Sequence, residues 1–233
     1  MSLMDTAIGW LAPARCVICG SEGMALCTAC ADSEIVPYGP YCWNCGALSD
    51  GGRTCEHCRR ASTPLHVWLT TTYENAAQKL LKEYKFGNLR AAADTLANLL
   101  VQTFLDFQPI HHSKARPWNY LVVAIPTATS RVRQRSFDHT QLLARSVARK
   151  LKFEYSPALA RLGQSRQLGA SRQDRLAQKE QQYYVRFPHT VVGRHILLID
   201  DVVTTGGTLR AATAALRAAG ATRIDALIFA KRL

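Results

Sequence analysis

Ile196-Leu197-Leu198-Ile199-Asp200-Asp201-Val202-Val203-Thr204-Thr205-Gly206-Gly207-Thr208 reads as a buried strand, two carboxylates at its carboxyl end, a short Thr/Gly loop and the start of a helix. In open α/β sheets, ligands sit at the carboxyl ends of the strands. The two glycines let backbone N–H groups come close to an anion, and the threonines add hydroxyl donors. A helix beginning there contributes its unpaired N–H groups and the positive end of its dipole. Together these features fit a phosphate monoester. Two carboxylates beside an anion site need something neutral or cationic between them, and a ribose provides it. Asp200 and Asp201 can accept hydrogen bonds from its 2- and 3-hydroxyls, directly or through Mg²⁺. Residues 200–208 therefore read as a ribose 5-phosphate site. The absence of Gly-Lys-Ser/Thr excludes a P-loop.

Outward from this segment the chain alternates strand and helix patterns. Val67–Tyr73 is β-branched and aromatic, and Tyr120–Ile125 is a short apolar run closed by Pro126; both predict strands. Helical spacing runs over Asn75–Phe86 and Arg90–Phe104, interrupted at Gly87-Asn88. His139–Leu151 predicts a helix with Asp138 as N-cap and Leu143, Val147 and Leu151 on one face. Val191-Val192 and Ile196–Ile199 bracket a Gly-Arg turn. Thr208–Ala219 predicts an alanine-rich helix ended by Gly220, and Ile224–Ala230 a following strand. Ser156–Gln182 is polar, with little apolar periodicity. The alternation predicts an α/β fold with a mostly parallel sheet covered by helices on both faces.

The first sixty residues are of a different kind. All eight cysteines lie there, as the pairs Cys16/Cys19, Cys27/Cys30, Cys42/Cys45 and Cys55/Cys58. Two CxxC pairs close a tetrahedral four-sulfur zinc site, because each pair presents both thiolates from one tight turn. Gly20 and Gly46, each directly after the second cysteine of its pair, suit the positive φ of such turns. A redox dithiol needs one pair rather than four, and ferredoxin-type clusters use other spacings. The expectation is two structural zinc ions in an N-terminal cysteine-rich head, residues 1–60, ahead of an α/β domain at 61–233. Filling in sequence order, Cys16–Cys30 and Cys42–Cys58, is favoured over an interleaved arrangement, which spacing alone leaves open.

A net charge of +12 with a pI near 9.6 points to an anionic partner, whether nucleic acid, an anionic membrane surface or phosphorylated metabolites. The charge concentrates at Arg131, Arg133, Arg135, Arg145, Arg149, Lys150 and Lys152, against the single acid Asp138. No apolar run is long enough for a membrane span. The start lacks the basic and apolar regions of a secretory signal, so a cytoplasmic location is expected. The four tryptophans are scattered, and read as packing residues rather than a base-stacking row.

Residues 196–208 resemble the PRPP-binding signature of type I phosphoribosyltransferases, and the wider chain resembles the ComF family of competence proteins. That likeness rests on the four CxxC pairs, on Tyr73–Gly87 ending in Lys85-Phe86-Gly87, on Arg131-Val-Arg133-Gln-Arg135-Ser-Phe137-Asp-His139, and on the Asp200–Thr208 loop, with a weaker echo at Gln167–Arg175. The family commonly writes R-G-F-N-Q where this chain has Arg135-Ser-Phe-Asp138-His139, and leucine at Ala170. The resemblance implies a double zinc ribbon followed by a type I phosphoribosyltransferase domain, with PRPP and Mg²⁺ held by Asp200, Asp201, Val202, Val203, Thr204, Thr205, Gly206, Gly207 and Thr208. It implies a pyrophosphate loop at Pro126, Thr127, Ala128, Thr129, Arg131 and Arg135, with a strained or cis peptide near Ala124–Thr127. The stretch 156–182 corresponds to a mobile loop whose Arg166, Arg172 and Arg175 would cover pyrophosphate or track a nucleic-acid backbone. Lys85 and Arg133 join them as candidates. Two activities follow as expectations: ribose-phosphate binding by a protein of DNA uptake that handles single-stranded DNA and meets other competence proteins, or transfer of phosphoribosyl from PRPP to a nitrogen nucleophile.

Overall fold

The structure, a computed structural model, describes residues 13–87, 89–107, 119–127, 138–162 and 183–233. In chain order the elements are α1 (Thr28–Glu34), β1 (Val67–Thr72), α2 (Asn75–Phe86), α3 (Leu89–Phe107), β2 (Tyr120–Ala124), α4 (His139–Leu151), β3 (Glu154–Tyr155), β4 (Leu159–Arg161), β5 (Tyr183–Val185), β6 (His195–Val203), α5 (Gly207–Ala218) and β7 (Arg223–Lys231).

Five strands form one sheet in the order β1-β7-β6-β2-β3, with every pairing parallel. Successive side chains of a strand point to opposite faces, so each strand feeds two cores. Trp68, Tyr120, Val122, Leu197, Ile199 and Phe229 pack beneath α2, α3 and α4. Val67, Leu121, Val123, Ile196, Leu198 and Ile228 pack on the other face, beneath α5 and the small β4–β5 hairpin sheet. Strands buried on both faces must be continuously apolar, which is why Ile196–Ile199 and Tyr120–Val123 carry no polar alternation. Asp138 caps α4 as expected, accepting from the N–H groups of Thr140 and Gln141. Gly220 takes a positive φ of 90° after α5.

Three local expectations are corrected. Leu159–Arg161, inside the stretch read as polar loop, is a strand, because Tyr183–Val185 pairs with it from beyond that stretch. Val191-Val192, read as flanking the Gly-Arg turn, is itself part of the turn that runs through Gly193, after a 3-10 segment at Pro188–Thr190. Among the described residues there is no cis peptide, and none near Ala124–Thr127 has positive φ; Ile125 simply extends β2, donating its N–H to Ile199 O at 3.0 Å.

The cysteine-rich head is packed against the sheet. Cys16, Leu26 and Ile35 join the core on the α2–α4 face, whereas Cys42 and Trp43 join the core on the α5 face. Arg59–Pro64, which joins the head to the sheet, is also tied down. Thr54 Oγ1 donates to Pro64 O at 2.7 Å, and Leu65 N–H to Ile224 O at 2.8 Å. Among the described residues, no helix is long and apolar enough to cross a membrane.

Candidate functional site

β6 delivers Asp200 and Asp201 at its carboxyl end, where the sheet stops being covered on both sides. The chain then turns through Thr204–Gly206 into α5. Gly206 is the residue before the helix and adopts φ 73°, a left-handed conformation that favours glycine. The loop 204–208 encloses a cavity of about 260 Å³ together with Asp200 and Leu209. This cavity adjoins a cleft of about 390 Å³ across the strand ends, into which Pro126, Thr127, Lys85 and Thr208 also face. All residues expected to hold the ribose and its 5-phosphate are thus contiguous, and Pro126 and Thr127 lie across the cleft from them.

The carboxylates differ. The Asp201 N–H donates to Asp200 Oδ1 at 2.9 Å. Burial, then the charge of Asp201 beside it, pushes the Asp200 carboxyl well above the usual range, since both effects disfavour the charged form. Asp201 pairs with the Lys85 ammonium. Lys85 is placed by its neighbour Tyr84, a fully buried side chain whose hydroxyl donates to His139 O at 2.5 Å and pins the end of α2 to the start of α4. Burial pushes the Tyr84 hydroxyl far up, with the Asp201 and Asp138 charges adding to it, so it remains a donor. Thr127 is held from the same quarter: its N–H reaches Asp138 Oδ2 and its Oγ1 reaches Asp138 Oδ1, both at 3.3 Å. Asp138 therefore serves at once as helix cap and as anchor of the 126–127 turn.

The eight cysteines form two groups filled in sequence order, Cys16/Cys19/Cys27/Cys30 and Cys42/Cys45/Cys55/Cys58, with the four Sγ atoms of each within 4.8 Å of one another. Cys19 and Cys27 sulfurs lie 3.7 Å apart, Cys45 and Cys55 3.6 Å. Those spacings match the edge of a tetrahedron built on Zn–S bonds of about 2.3 Å. The two knuckles share one geometry: Gly20 N–H donates to Cys16 O, and Gly46 N–H to Cys42 O, each at 2.9 Å, with φ of 75° and 76°. Burial opposes ionisation of Cys16 and Cys42, yet backbone N–H donors bring both down to about 6. The neighbouring Cys27 thiol lifts Cys30 to about 12. Cys55 also reaches about 12, because desolvation and three nearby thiols outweigh an N–H from Cys58. Four thiols this close shed their protons together only around a cation, so each group suits a structural zinc ion.

Of the remaining expected site residues, Ala128, Thr129, Arg131, Arg133, Arg135, Arg166, Arg172 and Arg175 lie outside the described residues, as do Trp10 and Trp118. Farther along the basic run, Arg145 stacks over the Tyr155 ring at 5.1 Å and Lys150 pairs with Asp94 at 2.8 Å, whereas Arg149 and Lys152 are exposed. Sequence reasoning missed Tyr73, Arg161, Tyr183 and Arg232 in the cleft wall. Tyr73 and Arg232 each follow a strand directly, so the rule that ligands gather at strand carboxyl ends contained the signal. Arg161 and Tyr183 gave none, because their pairing joins segments separated by a long polar stretch.

Residues 7–59 match the double zinc ribbon domain family and residues 141–233 the phosphoribosyl transferase domain family. The chain is 27% identical to competence protein F of Haemophilus influenzae over 226 residues, which is 91% of this chain and 94% of that protein. It is 25% identical to competence protein ComFC of Bacillus subtilis over 198 residues, 82% of this chain and 77% of the relative. A 40-residue stretch is 58% identical to orotate phosphoribosyltransferase of a Nocardioides species, covering 17% of this chain and 22% of that enzyme.

Proposed function

We propose, from the premise that the chain belongs to the ComF family of competence proteins, a double zinc ribbon joined to a phosphoribosyltransferase domain, that it binds PRPP or a related ribose phosphate while handling single-stranded DNA during DNA uptake. The observation that carries the reading is the order of groups along one cleft. Asp200 and Asp201 stand at the end of β6, and the Thr204–Thr208 loop opens the first turn of α5 beside them. Carboxylates then meet sugar hydroxyls, while loop amides and the helix end meet the 5-phosphate. Magnesium, when bound with PRPP, neutralises charge on the ligand's oxygens, and Asp200 and Asp201 offer the hard oxygen donors it takes. Lys85 supplies a fixed positive charge on the same carboxylate pair. DNA handling is supported by the +12 charge, and a role in competence by the names of the relatives.

A second reading makes the same cleft catalytic. A nitrogen nucleophile would attack C1 of PRPP, the C1–N bond forming as the C1–O bond to pyrophosphate breaks, and the nitrogen would then lose its proton. The cleft continues beyond the carboxylates to Tyr73 and Arg232, which is where an acceptor would enter. Catalysis of this type needs positioning and charge stabilisation more than a dedicated base.

Titration calorimetry with PRPP and Mg²⁺, and separately with single-stranded DNA under the same salt, tests the proposal. Saturable binding of PRPP that Thr205→Val/Gly206→Val abolishes is the expected result. No heat with PRPP, or equal heat from the double variant, refutes the ribose-phosphate assignment. Release of pyrophosphate in the presence of candidate amines would favour the second reading.

A further inference from the structure

The two cysteine units repeat one knuckle but differ inside it. Between its first two cysteines the first unit has Val17 and Ile18, and the second has Trp43 and Asn44. Trp43 reaches the 204–208 loop directly, and Asn44 reaches it through Arg210. The buried Trp43 ring occupies the space where any side chain at position 206 would begin. A Cβ on Gly206 would lie 2.6 Å from Trp43 Cη2 and closer still to Cζ3. With φ already at 73°, glycine is required there twice over. Asn44 stands between metal site and loop. Its Nδ2 donates to Cys58 Sγ at 3.2 Å, and its Oδ1 accepts from Arg210 Nη1 at 3.3 Å. Arg210 Nη2 in turn donates to Thr205 O at 2.7 Å, and its guanidinium lies over the Trp43 ring at 5.7 Å.

The direction of the Thr205 carbonyl has a consequence for the ligand side. In a trans peptide the C=O and N–H of one unit point opposite ways. With the Thr205 carbonyl held by Arg210, the Gly206 N–H of the same unit points the other way, away from that guanidinium, in the loop whose residues Thr204–Thr208 line the cavity. An unpaired N–H in such a loop is the element that meets an anion.

We propose that the second zinc ribbon, and not the first, is a positioning device for the anion loop. Metal bound by Cys42, Cys45, Cys55 and Cys58 fixes Trp43 and Asn44, as partners just outside a metal's ligands generally fix and are fixed by them. Trp43 and Asn44 fix Gly206 and Arg210, and Arg210 holds the Thr205–Gly206 peptide with its N–H towards the ligand. Trp43, Asn44 and Arg210 are thus positioning residues, acting through the loop rather than on the ligand. This rests on the ribose-phosphate reading of the loop, and adds that phosphate affinity depends on the second metal site.

The test uses the full zinc-loaded chain. Ribose 5-phosphate is titrated into wild type, Asn44→Ala, Arg210→Ala, Arg210→Lys and Ile18→Ala, with zinc content measured and the Gly206 amide followed by NMR. Asn44→Ala and Arg210→Ala are expected to retain two zinc ions, to shift the Gly206 amide, and to weaken binding by about tenfold. Asn44→Ala removes no charge, so its effect separates positioning from simple attraction. Arg210→Lys is expected to recover only part of the loss, because an ammonium lacks the planar fork that meets both acceptors. Ile18→Ala, at the matching place in the first unit, is expected to bind as wild type does. Equal weakening by Ile18→Ala, or wild-type affinity with an unmoved Gly206 amide in Arg210→Ala, would overturn the proposal. If wild type itself takes no ribose 5-phosphate, the ribose-phosphate reading fails instead. The Gly206 amide then decides alone: movement in Asn44→Ala and Arg210→Ala upholds the coupling, and no movement refutes it.

Discussion

Asp200 and Asp225 lie on neighbouring strands of the same sheet, and their surroundings drive their protons in opposite directions. Asp225, near the amino end of β7, is fully buried. It accepts from Tyr120 OH at 2.5 Å, Arg223 Nε at 2.6 Å and the His66 N–H at 3.0 Å, and contacts His66 Nδ1 at 2.9 Å. Burial alone would raise its pKa, but His66, Tyr120 and Arg223 outweigh burial and hold the carboxyl below its usual range. Asp200, at the carboxyl end of β6, has burial and a second carboxylate acting together and moves far the other way. One end of the sheet is saturated with partners. The other keeps an unfavourable pair of acids whose natural remedy is a ligand, the stability–function conflict expected at a binding site.

The largest expected effect lies outside the sheet and is the control for this contrast. Cys16→Ser/Cys19→Ser should lower bound zinc from two ions to one, measured by elemental analysis, because site and metal fold together with an apparent zinc affinity of about 10–16 kcal/mol. The cooperative melting of residues 65–233 should survive. If the sheet melts with the zinc, its two ends cannot be compared independently of the head. No zinc, or iron with visible absorbance, would remove the double-ribbon assignment of the cysteines.

Next in size is Asp225→Asn. Removing one member of a buried ionic network costs about 3–5 kcal/mol. The lower figure is expected, because His66 and Arg223 keep some access to water. For a chain of this size that lowers Tm by about 6–12 °C. Asp200→Asn should do the opposite, stabilising the protein by about 1 kcal/mol while weakening PRPP binding. Destabilisation by both substitutions would erase the distinction between the ends.

The pH dependence carries the same contrast with opposite signs. Asp225 has a folded pKa below its unfolded one, so its contribution is present above the ordinary carboxylate range and is lost as pH falls through the folded value. Asp200 has a folded pKa above its unfolded one. The folded state then holds the extra proton, and stability declines as pH rises from the usual value towards the folded one. Thermal melts from acid to neutral pH should show Asp225→Asn flattening the acid limb and Asp200→Asn flattening the decline above it.

The smallest effect concerns DNA. If Arg131, Arg133 and Arg135 meet phosphates of single-stranded DNA, the log–log salt slope should be roughly −0.7 per contact. Alanine at all three should then make it shallower by about two units. A triple variant that loses PRPP affinity but keeps the wild-type DNA slope would return these arginines to the ligand end of the sheet.

Local pattern made much of this legible. Asn75–Phe86 and His139–Leu151 match their helices residue for residue, because apolar spacing and the Asp138 cap are properties of a few neighbouring residues. The Gly20 and Gly46 turns followed for the same reason. The β4–β5 pairing, the Lys85–Asp201 contact and the Tyr120–Asp225 bond were not legible, since each joins residues far apart in the chain. A lysine at a helix end looks the same whether it meets a carboxylate or water.

The sequence by itself determined that this chain has a parallel α/β sheet, two four-cysteine groups, and a strand–carboxylate–glycine–helix site, because each is written in consecutive residues whose chemistry leaves few alternatives. Tertiary structure alone decided that thiols group in sequence order, that Asp225 is the paired acid and Asp200 the strained one, and that in the second ribbon Trp43 lies against Gly206 and Asn44 against Arg210. Those outcomes depend on which faces meet when the head packs on the sheet. Contact between distant segments is set by the whole core rather than by either segment's own residues.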